Sequence, residues 1–346
     1  MRRLDTLDGM RGIAALSILV FHVFRSVLSP QFSGGYLAVD FFFMLSGFVI
    51  ARTYEDRLAN GLSAQSFMQL RIKRLLPVIW FGIVLGALQA IFRGAPIHAT
   101  QVQLVMQLLF IPALFSGTDL FPLNGVQWSL FFELTANLAH ALFFRKASLA
   151  ILAAIIAVAF IALAWYAYGA NSVWLGVTSD AFLGGFPRMV FSYCVGIFVF
   201  RCTRSGKLSV PAVPGAIVMA LLPAVFVLDQ VAKGYAPGWI VDLAMVSLCL
   251  PALLIFGANA TLRPVGQRLA EVGGYISYPL YATHLPVVML GQLAMLSRTA
   301  ETVFAFAASI GIAGFVAACL EPRPSRAQAK PADLVADESK IGVLAT

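Results

Sequence analysis

The chain has 346 residues, of which 60% are hydrophobic and only 12% are charged, and its formal net charge is +8. A soluble domain is nearer half apolar and a quarter charged, so this composition excludes a soluble globular enzyme, a disordered protein and a fibrous protein. Segments of about ten residues that alternate apolar and polar side chains, which would indicate an outer-membrane barrel, are not visible. We therefore expect an all-α, polytopic transmembrane helical bundle surrounded by membrane lipid.

Apolar blocks that approach the roughly 20 residues needed to cross a bilayer predict about ten spans. They lie at 11–29, 36–51, 75–92, 127–144, 149–168, 186–201, 212–229, 238–257, 272–293 and 302–320. A further apolar stretch, 102–115, is shorter and contains Pro112. We predict that this stretch is a re-entrant or surface helix, which survives at membrane depth only inside protein or beside a cavity.

The basic residues stand between the apolar blocks and predict the topology of the chain. With a cytoplasmic N-terminus and ten spans, most of the 24 lysines and arginines fall on the cytoplasmic side, as the positive-inside rule requires. An eleventh span at 102–115 would invert every later loop. The charge therefore indicates a multi-pass protein with both termini in the cytoplasm, and it does not indicate nucleic-acid binding. We expect the membrane to be the plasma (inner) membrane.

The two ends of the chain and its cysteines limit other interpretations. The first apolar run follows basic residues like a signal peptide, but it carries Arg11 and His22 and lacks a small-residue cleavage site, so we interpret it as a retained span. Residues 321–346 combine prolines with charge and predict a disordered cytoplasmic tail, which leaves 1–320 as the membrane domain. The four cysteines form no CxxC pair, so neither a disulfide nor a metal site is expected.

Ionisable side chains inside apolar helices are costly and usually face a cavity or a partner. In the first block Arg11 and His22 are eleven residues apart, which places them on one helix face about 16 Å apart along the axis. His22 could act as a general base or form a structural hydrogen bond. Asp40 opens the second block, where it could cap the helix N-terminus or belong to a site. Ser46 and Gly47 in the same block suit close helix approach.

The third block begins with Arg71 and Arg74, which lie one turn apart and share a face. Two guanidinium groups in this arrangement could bind phosphates, or they could simply mark the cytoplasmic end of a span.

The fourth block carries Glu133 close to its N-terminus, followed by Asn137 and His140 at spacings of four and three. These side chains form a polar stripe on one helix face, which predicts a cavity. Glu133 itself could orient a histidine, bind a sugar hydroxyl or compensate the helix dipole. The ninth block carries His284 after the helix-kinking Pro279, and His284 could be functional or structural.

Five ordered segments of this chain resemble motifs of the acyltransferase 3 family of membrane acyltransferases. These segments are 7–12 followed by His22, then 39–48, 71–77, 128–133 and 276–284. Each match is short, but five matches in order across nearly the whole hydrophobic region are specific.

The resemblance implies an integral membrane O-acyltransferase that moves an acyl group to a hydroxyl of an extracytoplasmic or lipid-linked glycan. The donor substrate would be a cytoplasmic acyl-CoA, most commonly acetyl-CoA, with phosphates held by Arg71 and Arg74 and helped by Arg11. His22 would deprotonate the acceptor or carry the acyl group itself, and Glu133 or Asp40 would orient it or the acceptor. The resemblance also implies substrate-contacting or structural roles for further residues, which are Ser46, Trp128, Ser129, Tyr278 and His284.

Two other classes of protein stay open on composition. A transporter for a sugar or a lipid-linked glycan would also carry buried His, Glu and Asp, although the sequence shows none of the repeated halves that many transporters have. A structural membrane scaffold would leave the buried charges unexplained. Hydrolysis of acyl-CoA would separate the enzyme from both.

Overall fold

The computed structural model describes residues 4–23, 34–114, 117–294 and 297–321. The outer end of the first predicted span, 24–29, and nearly all of the predicted disordered tail lie outside these residues. The described part is built of helices and contains no β-strand, which confirms the predicted all-α fold.

The helices of the described part follow the predicted blocks along the chain. They are α1 (Asp5–Val23), α2 (Ala38–Ala59), α3 (Ala64–Phe92), α4 (Ile97–Leu108), α5 (Gln127–Leu142), α6 (Leu149–Ala170), α7 (Phe182–Arg204), α8 (Gly215–Ala232), α9 (Gly238–Ala244), α10 (Leu250–Asn259), α11 (Pro264–Gly291) and α12 (Arg298–Leu320). A 3-10 turn, Gly34–Leu37, leads into α2, and a π-helical turn, Met245–Cys249, joins α9 and α10 into one rod.

Each of the ten predicted spans coincides with one rod of the bundle. Within the described residues, eight rods are long and apolar enough to cross a membrane. The other two are α5, which has 16 residues, and α11, whose apolar run is broken by tyrosines, prolines and His284. These two helices pack against α3, and they carry several of the polar side chains considered below.

The short helix between α3 and α5 lies upstream of its predicted position. The sequence predicted it over 102–115, whereas α4 begins directly after Pro96 and ends at Leu108. After α4 the chain turns at Leu109 and Phe110 and continues as an irregular segment that contains Pro112, a residue that cannot continue the hydrogen-bond ladder of a helix. The indole Nε1 of Trp80 donates to the carbonyl of Leu108 at 3.1 Å. Trp80 lies about 18 Å along α3 from its end at Phe92, so α4 runs back along α3.

The segment after α4 docks on a backbone carbonyl that a proline has freed. Pro286 has no N–H, so the carbonyl of Ala282 loses its partner within α11. Asn124 fills this position, because its Nδ2 donates to that carbonyl at 2.8 Å. Gly82 on α3 leaves the necessary space, since a Cβ at this position would lie 2.2 Å from the Ala282 oxygen.

Glycines allow two pairs of helices to approach at backbone distance. On α2 and α7 the contact is reciprocal: a Cβ at Gly47 would lie 2.0 Å from the carbonyl oxygen of Tyr193, and one at Gly196 would lie 1.9 Å from that of Met44. A Cβ at Gly12 of α1 would lie 2.8 Å from the carbonyl carbon of Gly273 on α11. Small residues at such crossings are a common packing device of membrane helices. The close approach predicted for Gly47 is confirmed.

Replacement of Gly196 by alanine should destabilise the bundle, because the new methyl group must displace the α2 backbone. We expect a loss of about 1–3 kcal/mol, the usual cost of overpacking, measured as a lower thermal unfolding midpoint of the detergent-purified protein. The matched control is Gly311→Ala, since a Cβ at Gly311 meets no atom within 4 Å. Equal midpoints for the two variants would contradict this account of the α2–α7 crossing.

Candidate functional site

A cavity of about 350 Å³ lies among α1, α2, α3, α5 and α11. Several of the predicted site residues line it: Arg11, Ser46, Arg71, Arg74, Ser129, Glu133 and Tyr278. One wall is apolar and includes Val39, Phe42, Phe43, Leu45, Val49, Ile50, Leu75 and Leu130. Side chains that are far apart in sequence therefore converge on a chamber whose lining is partly polar and partly apolar.

Arg71 and Glu133 form an ion pair inside this cavity. The Arg71 guanidinium lies 2.9 Å from Glu133 Oε1, and the Ser46 hydroxyl donates to the same oxygen at 3.0 Å. Arg71 is buried, and its Nε has no hydrogen-bond partner among the described residues. Glu133 therefore pairs with an arginine on another helix, and Arg71 keeps one donor for a bound molecule.

The two arginines of the third block differ in environment although they share a helix face. Arg74 lies on the same cavity as Arg71, but it is exposed at the end where Glu321 also contributes to the lining. Arg11 faces the cavity from α1, where its Nε donates to Ser277 Oγ at 2.9 Å and its Nη2 to the carbonyl of Gly274 at 2.6 Å. Asp8 lies 3.3 Å from the same guanidinium.

Tyr278 and Tyr281 extend the polar lining along α11. The Tyr278 hydroxyl donates to the carbonyl of Leu75 on α3. The Tyr281 hydroxyl lies 2.6 Å from Ser129 Oγ on α5. Tyr281 was not among the predicted site residues, although it stands one helical turn before His284 and that spacing places both on one face.

His22 and His284 form a pair of imidazoles beside Tyr281. Their ring centroids are 5.1 Å apart, and the Tyr281 ring lies 6.0 Å from that of His284. Neither histidine lines the cavity. Tyr281 lines the cavity and its ring also lies next to that of His284, so the histidine pair adjoins the cavity beside Tyr281.

The structure places Asp40 and Trp128 in a different group, away from the cavity. Asp40 pairs with Arg188 at 2.6 Å, and both are fully buried. Arg188 also donates to the carbonyls of Tyr36 and Leu175, and its Cζ lies 5.3 Å from the Trp128 ring. Asp40 does not cap α2, because the N-cap position is Leu37. No local pattern indicates this pair, since its partners are 148 residues apart.

The polar stripe predicted on α5 lines the cavity only at Glu133. Asn137 accepts a hydrogen bond from the Tyr193 hydroxyl at 3.3 Å. His140 lies 3.8 Å from Glu55 and is fully buried. Asn137 and His140 therefore face α7 and α2 rather than the cavity, because α5 packs between the cavity and these two helices.

A second polar cluster, which the sequence did not indicate, joins α8, α9 and the 3-10 turn before α2. Lys233 Nζ lies 2.7 Å from Asp229 and 2.5 Å from Asp242, and it donates to the Tyr36 hydroxyl at 2.6 Å. Ser172 donates to Asp242 at 2.9 Å. Charge patterning alone predicts no more for Lys233 than a loop position on the outer side.

Comparison with known proteins agrees with the motif resemblance. A family model described as an acyltransferase domain matches residues 4–320. Over 168 residues the chain is 34% identical to "Protein 2 in picA locus" of Rhizobium radiobacter, an alignment that covers 42% of this chain and 85% of that protein. Over 82 residues it is 35% identical to "O-acetyltransferase OatA" of Staphylococcus aureus strain NCTC 8325 / PS 47, which covers 23% of this chain and only 13% of that protein. No solved structure matches the chain.

Breaking the Asp40–Arg188 pair should lower the stability of the protein, and any loss of activity should follow from that loss of stability. Asp40→Leu leaves the buried guanidinium without its counter-ion, at a cost of about 3–5 kcal/mol. The double variant Asp40→Leu with Arg188→Met should recover most of this loss, since no charge stays buried. Thermal unfolding midpoints measure both. A stable but inactive Asp40→Leu protein would instead assign the carboxylate to the reaction.

Proposed function

The chain belongs to the acyltransferase 3 family, and from this premise we propose that it moves an acyl group from a cytoplasmic acyl-CoA to a hydroxyl of an extracytoplasmic or lipid-linked glycan. The chain is a membrane O-acyltransferase. What we propose is the identity of the acyl donor, the side of the membrane from which the donor binds, and the identity of the acceptor. The observation that supports this proposal best is one cavity with arginines in its polar lining, an apolar wall and a histidine pair beside Tyr281.

The arginines favour a phosphate-bearing donor. Coenzyme A carries several negative charges that cannot enter an apolar bundle without cationic partners, and guanidinium groups bind phosphate bidentately. Arg74 is exposed and the Arg11 side chain is 28% exposed, whereas Arg71 is buried deeper. The two more accessible arginines would hold the nucleotide phosphates. The helix ends that carry them are cytoplasmic in the topology predicted from charge, where acyl-CoA is made.

The apolar wall suits the other part of the donor. The pantetheine arm and a short acyl chain carry no charge, so side chains such as Phe42, Leu45 and Val49 would contact their apolar carbons while the amides and hydroxyl of the arm bind to the polar lining. Acetyl is the acyl group that we propose first, and the staphylococcal relative named as an O-acetyltransferase supports this choice.

The histidine pair supplies the base for the transfer. In direct transfer, His22 removes the proton of the acceptor hydroxyl as its oxygen bonds to the acyl carbon. The carbon–sulfur bond breaks, and the CoA thiolate then takes up the proton as free thiol. In the alternative route an imidazole nitrogen of His22 attacks the acyl carbon as the carbon–sulfur bond breaks and CoA leaves as thiolate; the acceptor oxygen then attacks the same carbon, the nitrogen–carbon bond breaks, and the hydroxyl proton passes to the thiolate. Both routes place the acyl carbon beside Tyr281.

Release of CoA thiol should require His22. We expect inverted membrane vesicles of wild type, whose cytoplasmic face is outward, to transfer labelled acetyl from acetyl-CoA to vesicle-bound glycan and to release thiol. His22→Ala should abolish both, whereas the control His98→Ala, an exposed residue of α4, should leave both unchanged.

The orientation of the vesicles and the activity of the variant decide the proposal. Transfer in right-side-out vesicles that equals transfer in inverted vesicles would contradict a cytoplasmic donor. Full activity of His22→Ala would remove His22 from the mechanism. A protein that neither binds acetyl-CoA nor releases thiol would favour the transporter hypothesis.

Arg74 should contribute directly to donor affinity. We expect Arg74→Gln to weaken acetyl-CoA binding about tenfold, the loss of one charge-assisted contact, with a smaller difference at high salt because exposed charges are screened. The matched control is Lys73→Gln, an exposed cation of the same helix that does not line the cavity. A calorimetric titration measures both. Equal losses in the two variants would indicate only general attraction to a basic surface.

A further inference from the structure

His284 holds an imidazole whose protonation pattern the backbone determines. Its Nδ1 lies 3.0 Å from the carbonyl oxygen of Leu280 and 2.9 Å from that of Tyr281. Carbonyl oxygens only accept hydrogen bonds, so Nδ1 must carry the proton. In the neutral ring Nε2 then bears a lone pair and can only accept.

This acceptor is buried without a partner. His284 is fully buried, and Nε2 has no hydrogen-bond partner among the described residues. An unsatisfied buried acceptor costs roughly 1–3 kcal/mol. A histidine that served only to bond the helix backbone could be replaced by a residue without this cost, so Nε2 calls for a functional explanation.

His22 is within reach of that nitrogen. The two ring centroids are 5.1 Å apart with the planes inclined by 46°. A hydrogen bond of about 3 Å between two imidazole nitrogens places the ring centres about 5 Å apart. The close approach of α1 and α11 at Gly12 and Gly273 holds the helices that carry the two rings against each other.

We propose that His284 is a positioning residue for His22, and that a small rotation of the His22 ring brings its N–H to the unpartnered Nε2, which accepts it. This inference rests on the proposed function, in which His22 is the base. His284 would fix the orientation of the His22 ring. Histidines that bind a metal or act as a base are commonly held in the same way, by a second group that binds the other ring nitrogen.

The proton account of the transfer is consistent with this arrangement. One nitrogen of His22 removes the proton from the acceptor hydroxyl while the new oxygen–carbon bond forms and the carbon–sulfur bond breaks. The other nitrogen already carries a proton, which it shares with His284 Nε2 as the imidazolium develops. The departing thiolate receives the proton from the first nitrogen, so both rings return to their starting state.

Two polar substitutions at 284 separate positioning from structure. The amide nitrogen of asparagine takes the place of Nδ1 and can keep the bond to the helix carbonyl, but it puts no acceptor at the position of Nε2. Glutamine is longer and puts its amide oxygen there. We expect His284→Asn to lower kcat about 100-fold with an unchanged KM for acetyl-CoA, and His284→Gln to keep at least a tenth of the wild-type kcat.

If His284 served only to bind the helix backbone, kcat would follow the opposite order. His284→Asn would then be the more active variant, because asparagine preserves the backbone hydrogen bond. That order, equal loss in both variants, or full activity of both would overturn the proposal. Failure of either variant to give a folded protein with a wild-type unfolding midpoint would also overturn it. His22→Ala, measured beside them, tests the underlying function: an inactive His22→Ala with the wrong order at 284 rejects this inference alone.

Discussion

The structure depends on one constraint, which is that charged groups inside an apolar bundle must be paired because no water is present to solvate them. Three pairings among the described residues illustrate this need: Arg71 with Glu133, Arg188 with Asp40, and Lys233 with two aspartates. Each joins separate helices. The pairs therefore do more than neutralise charge, since their geometry determines which helices are neighbours. The cavity exists where one of these pairs lies beside a gap in the packing.

The histidines and the arginines occupy different parts of the same site, with Tyr281 adjoining both parts. The arginines line the cavity, whereas neither imidazole does, and His284 is fully buried. Tyr281 is held by Ser129 from α5, so the boundary between the two parts is built by helices from both halves of the chain.

The helices and several members of the cavity could be predicted from the sequence, but their partners could not. Hydrophobic runs and charge spacing determine where helices form and which side chains share a face, so Arg71, Arg74 and Glu133 could be selected from the sequence alone. Pairing across 148 residues, as between Arg188 and Asp40, leaves no local pattern. For the same reason the cluster around Lys233 resembled an ordinary loop charge, and Asp40 resembled a helix cap. The predicted position of α4 was wrong because apolar composition does not show where a helix ends.

The contact between Asn124 and the carbonyl freed by Pro286 has an evolutionary consequence. A residue other than proline at 286 would return an N–H to α11 and close that carbonyl, leaving Asn124 without its partner. A larger residue at Gly82 would displace both groups. The three positions are therefore coupled: a substitution at one of them is tolerated only when the other two change with it. Covariation among homologues should therefore link a proline, an asparagine and a glycine that lie on three separate segments of the chain.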